Sequence, residues 1–215
     1  MENNLSIKIC GINNKETAKV CDDVDYVGFV FYQKSTRFVT AFQAKEISKF
    51  LPKTAKKVGL FVNANLDLIE HITEFVNLDF IQLHGDENLS TIKALKQRLN
   101  KPIIKAIPID SSKDVEMSKK FEPFCEMILF DTKINNPKIK GGTGTSFNWN
   151  LLKKYSSKKK WMLAGGLNVQ NLKNAVELTG APIVDISSGV EKKKGIKCPK
   201  KIKELVSYVK KNKFK

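Results

Sequence analysis

A few side chains in this sequence have the chemistry to move protons. Cys10 closes the apolar run Ser6-Ile7-Lys8-Ile9-Cys10. A lone cysteine is more often a small buried hydrophobe than a base. A free thiol, with a pKa of about 8.5, must also be shifted before it serves as one at neutral pH. Alternation along a strand puts Lys8 on the same face as Cys10, where an ammonium would favour the thiolate. Asp131 closes a second apolar run and is the candidate partner for Cys10 in proton transfer, although an aspartate there could equally cap a helix. His84 is one of two histidines and ends the run Gln82-Leu83-His84. It could do acid–base work, but a hydrogen bond that orders loops near a site is the simpler reading. Asp185 could orient a loop or a substrate, and the loop is the safer assignment.

Other positions have the chemistry to hold an anion. Gly165-Gly166 and Ser187-Ser188-Gly189 follow the last two apolar runs. Glycine-rich turns ahead of helices let backbone N–H groups approach a phosphate, and the helix dipole favours the negative charge. Tight turns alone would also account for these glycines. The longest irregular stretch, 132–147, holds Gly141, Gly142 and Gly144 and reads as a mobile active-site loop.

These residues need elements to position them. Eight β-branched or aromatic runs are visible: 6–10, 26–31, 57–62, 80–83, 103–107, 127–131, 161–164 and 183–186. Longer amphipathic stretches separate them. Apolar residues recur at helical spacing in 41–51, 66–76, 171–178 and 202–209, and Pro199 suits the first turn of the last helix. Eight strands that each lead into a helix predict an α/β fold, a (β/α)8 TIM barrel in which 1–215 forms a single domain. A doubly wound open sheet is the alternative, but it would normally carry a glycine-rich turn after its first strand. Here that strand ends Cys10-Gly11-Ile12-Asn13. In a barrel, catalytic groups project from the C-terminal strand ends. Cys10, Asn63, His84, Asp131 and Asp185 all lie at or near such ends. The first and sixth strands lie across the barrel from each other, so their tips could face one substrate.

Composition narrows the class of function. The formal net charge is +16, and apart from Arg37 and Arg98 the positive charge comes from lysine. A basic RNA-binding protein is the non-enzyme alternative. Nucleic-acid readout favours the arginine fork, however, and no surface aromatic motif of that kind is present. Dispersed lysines read instead as a solvated surface whose field could draw in an anionic substrate. No nucleic-acid partner is therefore expected. The four cysteines are widely spaced, with no metal-ligand pattern, so no metal site is expected. No apolar run spans a membrane, and the start of the chain lacks the pattern of a signal peptide, so a cytoplasmic protein is expected.

Taken in order, the motifs resemble the phosphoribosylanthranilate isomerase family of tryptophan biosynthesis. They are Lys8-Ile9-Cys10-Gly11, Gly28-Phe29-Val30-Phe31 with Ser35-Thr36-Arg37, Val58-Gly59-Leu60-Phe61-Val62-Asn63 and Gln82-Leu83-His84-Gly85. They continue with Asp131-Thr132, Gly141-Gly142-Thr143-Gly144 with Phe147 and Trp149, Leu163-Ala164-Gly165-Gly166-Leu167, and Asp185-Ile186-Ser187-Ser188-Gly189-Val190-Glu191. The resemblance implies an Amadori rearrangement of a small phosphorylated substrate, with no redox step and no metal or organic cofactor. It implies Asp131 as general acid and Cys10 as general base, with the Arg37 fork on the anthranilate carboxylate. Gly166, Ser188 and Gly189 would offer donors to the phosphate, and His84, Gly142 and Asp185 would line the substrate. A monomer or homodimer is expected. Two positions depart from the family pattern. Thr36 stands where proline is usual, which would loosen the loop carrying Arg37. Cys198 stands where aspartate is usual and should cap its helix less well. The histidine-pathway Amadori isomerase, or a dual-substrate form, is the nearest enzyme alternative. That sister enzyme is expected to carry a carboxylate at the end of its first strand, and Cys10 argues against it.

Overall fold

The computed structural model describes residues 5–133, 146–212 and 214. Eight parallel strands close into a barrel in chain order: β1 (Ser6–Cys10), β2 (Tyr26–Val30), β3 (Lys56–Phe61), β4 (Phe80–Leu83), β5 (Ile103–Ile109), β6 (Met127–Thr132), β7 (Trp161–Leu163) and β8 (Ile183–Ile186). The ring closes by pairing of β1 with β8, where Lys8 stands beside Asp185. The expected barrel is therefore present, and every predicted strand falls within two residues of an observed one.

The helices form where the sequence both patterns and caps them. In α1 (Lys15–Ala18), the Asn14 side chain accepts from Thr17 N–H. The start of α2 (Ala41–Ser48) is a reciprocal capping box between Thr40 and Gln43. This helix stops three residues short of the predicted end, because Pro52 disfavours helix in the residue before it. In α3 (Leu66–Val76), Ile69, Ile72 and Val76 are buried, and Asn77 closes the helix in the left-handed conformation at φ 55°. Next come α4 (Leu89–Arg98), α5 (Ser112–Ser118), α6 (Leu172–Thr179) and α7 (Pro199–Lys211). Pro199 occupies the first turn of α7, as predicted, and its N-cap Cys198 makes no side-chain hydrogen bond. That agrees with the expected weak cap.

Strand alternation sorts the core into two layers. Ile7, Ile9, Val27, Phe29, Ile81 and Leu83 point outward and join the large cluster under the helices. Val58, Ile104, Met127, Leu129, Met162 and Ile183 fill the barrel interior. Higher in the interior, Cys10 packs with Val30 and Leu60. Lys8 and Gln82 share this inward face by their spacing from Cys10 and Phe80, and both are fully buried. After β8 the chain adds an antiparallel hairpin, β9 (Glu191–Lys193) and β10 (Ile196–Lys197), which the hydrophobic pattern does not announce.

Candidate active site

On the β1 side the site is built from charges. Lys8 Nζ lies 2.8 Å from Asp185 Oδ2, and both side chains are buried. The second carboxylate oxygen, Oδ1, is also buried and has no hydrogen-bond partner among the described residues. Burial works against the Lys8 charge, but Asp185 and Cys10 together hold its pKa above the ordinary range. Asp185 thus anchors Lys8 across the β1–β8 seam, rather than a loop. Cys10 stands two residues on, itself buried. Lys8 acts on the thiol in the expected direction. Lys8, Lys197 and Arg37 do pull the Cys10 pKa down, yet burial outweighs them and pushes it up.

Arg37 reaches the same corner from the β2–α2 loop. Its Cδ would lie 2.7 Å from a Cβ at Gly11, whose φ is +83°, so only glycine lets the two segments meet. The guanidinium is buried and grips Glu191 as a fork, with Nε 2.7 Å from Oε1 and Nη2 3.0 Å from Oε2. Glu191 also accepts from Lys197 Nζ at 2.7 Å and from Gly195 N–H at 3.1 Å. Burial penalises its carboxylate, but Arg37 and Lys197 hold its pKa below the usual range. Lys197 in turn donates to the carbonyl and hydroxyl oxygens of Ser187, each at 3.0 Å, and Ser187 Oγ donates to the Cys10 carbonyl at 3.0 Å. One polar chain therefore runs from Arg37 to the backbone of Cys10. Glu191 and Lys197 escaped the sequence reading as site residues. Three lysines at 192–194 make the hairpin look like solvated surface.

On the β6 side the described partners are an imidazole and a backbone amide. β6 is reached from β1 round the closed ring through β8 and β7, so its tip approaches the barrel mouth from a different side. Asp131 Oδ1 accepts from Thr132 N–H at 2.7 Å, and Oδ2 lies 3.2 Å from His84 Nε2. His84 thus bonds a carboxylate of the site. Its other nitrogen, Nδ1, lies 2.9 Å from Gln82 Nε2. Beneath this turn, Lys105 Nζ donates to the Gly85 carbonyl at 2.7 Å and to Glu87 at 2.9 Å.

The two loops expected to hold an anion touch each other. A Cβ on Gly189 would collide with the carbonyl oxygen of Leu167, so the loop after β8 packs directly on the loop after β7. The N–H groups of Gly166, Ser188 and Gly189 donate to no group among the described residues. Gly165-Gly166 does not abut a helix as predicted, because a turn at 168–171 intervenes before α6. Ser188–Val190 forms a single 3-10 turn. Gly142, like Gly141 and Gly144, lies outside the described residues. Among the described residues, no cluster of His, Cys, Asp and Glu side chains is arranged to hold a metal ion. No described helix is long and apolar enough to cross a membrane.

A closed parallel barrel with polar groups gathered at the C-terminal strand ends has the architecture of a (β/α)8-barrel enzyme. Comparison with known proteins narrows that class. Residues 7–208 match the family described as N-(5'phosphoribosyl)anthranilate (PRA) isomerase. The N-(5'-phosphoribosyl)anthranilate isomerase of Rhodospirillum centenum is 39% identical over 201 residues, covering 91% of this chain and 93% of that protein. A crystal structure of the isomerase from Thermotoga maritima superposes with a TM-score of 0.85 at 35% identity, covering 97% of this chain and all (100%) of the other. A phosphoribosyl anthranilate isomerase solved in complex with reduced 1-(o-carboxyphenylamino)-1-deoxyribulose 5-phosphate gives 0.83 at 33% identity, with coverage of 97% and 100%. The chain belongs to the N-(5'-phosphoribosyl)anthranilate isomerase family and is an intramolecular isomerase.

Proposed function

We propose that this chain, acting as a single domain in a monomer or homodimer, rearranges N-(5'-phosphoribosyl)anthranilate to 1-(2-carboxyphenylamino)-1-deoxyribulose 5-phosphate in tryptophan biosynthesis. Asp131 gives its proton to the ribose ring oxygen as the C1′–O bond breaks, leaving an iminium. The Cys10 thiolate then removes the C2′ proton, and the electrons of that bond neutralise the iminium as an enolamine. Tautomerisation moves the hydroxyl proton to C1′ and gives the ketone. The proton gained by Cys10 balances the one lost by Asp131, and exchange through solvent restores the thiolate and the acid, so no proton, electron or water is consumed overall.

The arrangement that supports this reading is a thiol and a carboxylate at separate strand tips of one barrel mouth, beside two loops with unengaged N–H donors. Donors at Gly166, Ser188 and Gly189 meet the phosphate. Arg37, oriented by Glu191, faces the anthranilate carboxylate. The buried Asp185 Oδ1 accepts from a substrate hydroxyl. Once Asp131 has lost its proton, His84 donates to the new carboxylate. Lys8, Lys197 and Arg37 serve the opposite end of the reaction by lowering the cost of the thiolate.

The test is a coupled isomerase assay with a chelator present. Cys10→Ala and Asp131→Asn should each lower kcat by about 10²- to 10⁴-fold, with the circular-dichroism spectrum unchanged. Near-wild-type turnover in Cys10→Ala removes Cys10 as the base. Arg37→Ala should act chiefly on KM.

A further inference from the structure

Gln82 is a side chain that the proposed mechanism does not use. It sits mid-strand in β4, fully buried, inside the barrel rather than at its mouth. A buried carboxamide is an expensive choice there. Its Oε1 has no hydrogen-bond partner among the described residues, which leaves a desolvated acceptor uncompensated by any bond. A leucine at the same place would leave no orphan. The other end of the amide makes one contact, Nε2 to His84 Nδ1 at 2.9 Å.

That contact has a chemical consequence. The amide nitrogen can only donate, so Nδ1 must be the unprotonated, accepting nitrogen of a neutral imidazole. The ring proton is then on Nε2, which points at Asp131 Oδ2 at 3.2 Å. Gln82 lies in β4 and His84 directly follows its last residue, its N–H donating to the Phe61 carbonyl of β3, so the strand end holds the pair together.

Resting on the reading of Asp131 as the acid, we propose that Gln82 is a positioning residue that fixes the tautomer and angle of His84, so that His84 presents an N–H donor to Asp131. The donor stabilises the carboxylate formed as the proton leaves for the ring oxygen. In the opposite tautomer Nε2 would present a lone pair to that carboxylate, which would oppose the step.

Two measurements test this. The first is the ¹⁵N spectrum of the imidazoles, which is tractable because the chain has only two histidines. Wild-type His84, assigned against a His71→Gln variant, should be the neutral Nε2–H tautomer. An Nδ1–H tautomer overturns the proposal without any change at Gln82. The second is Gln82→Met, which keeps the length and removes the donor. His84 should then lose its single tautomer, and kcat should fall roughly 10- to 100-fold while KM stays within about twofold. Adding Gln82→Met to His84→Ala should change kcat no further, because Gln82 acts only through the ring. An equal fall in that background, or a wild-type spectrum and kcat in Gln82→Met, overturns the assignment. If the wild-type protein does not isomerise the anthranilate substrate, the functional reading fails, and the ¹⁵N spectra still decide whether Gln82 sets the tautomer.

Discussion

Around Cys10 the barrel places lysines, an arginine and carboxylates, whereas the described partners of Asp131 are an imidazole and a backbone amide. Lys8, Asp185, Arg37, Glu191 and Lys197 surround the first. His84, Gln82 and the Thr132 amide serve the second. The difference follows from what each group has to do. A buried thiol resists ionising: Cys21, far from such cations, is pushed up to about 12 by burial with the adjacent Asp22 charge adding to it. Cations near Cys10 offset part of that cost. An acid has the opposite need. A lysine against Asp131 would strip its proton before the substrate arrived. A neutral donor helps the carboxylate once it forms without forcing it to form early.

The comparison can be broken most directly at Lys8. Lys8→Met leaves Asp185 buried without its counter-ion and should cost about 3–5 kcal/mol of stability by urea denaturation. Gln82→Met removes one hydrogen bond but also an unpaired buried oxygen, so the two terms offset and stability should change by no more than about 1 kcal/mol. Equal losses would mean that the two sides are not built differently. A smaller effect concerns pH. Because the Cys10 pKa is raised, thiolate grows in as pH rises, so kcat/KM should keep climbing beyond the ordinary thiol range. In Lys8→Met the climb should move further alkaline, since one of the groups holding the pKa down is gone. A profile flat above neutral pH would remove the thiolate requirement. The smallest expected effect lies away from both sides. Cys198→Asp supplies the missing cap of α7 and should stabilise the fold by about 0.5–1 kcal/mol in thermal melts, with kcat unchanged.

The barrel was legible because its signals are local. Each strand announces itself by β-branched residues, and each cap is a short-range pattern such as Thr40 with Gln43. Cys10, His84, Asp131 and Asp185 were legible as strand ends. Their partners were not, because those partners are distant in sequence. Lys8 meets Asp185 across 177 residues, and Arg37 meets Glu191 across 154. Lysine is also normally a surface residue, so nothing in the composition singles out Lys8, Lys105 and Lys197 as buried ones. Alternation did place Lys8 beside Cys10. It could not weigh the ammonium against the burial of the thiol, which depends on how tightly the finished barrel excludes water.

The β9–β10 hairpin has a further consequence for the order in which the molecule folds. Cys10 is on the first barrel strand, but several of the groups around it come from the other end of the fold. Asp185 is on the closing strand, and Glu191 and Lys197 lie beyond it. The thiol and the lysine on β1 therefore gain these partners only once the chain as far as residue 197 has folded back on them. Long-range closure of this kind is slow relative to local contacts. The charged corner of the barrel is thus completed only by contacts that span most of the sequence.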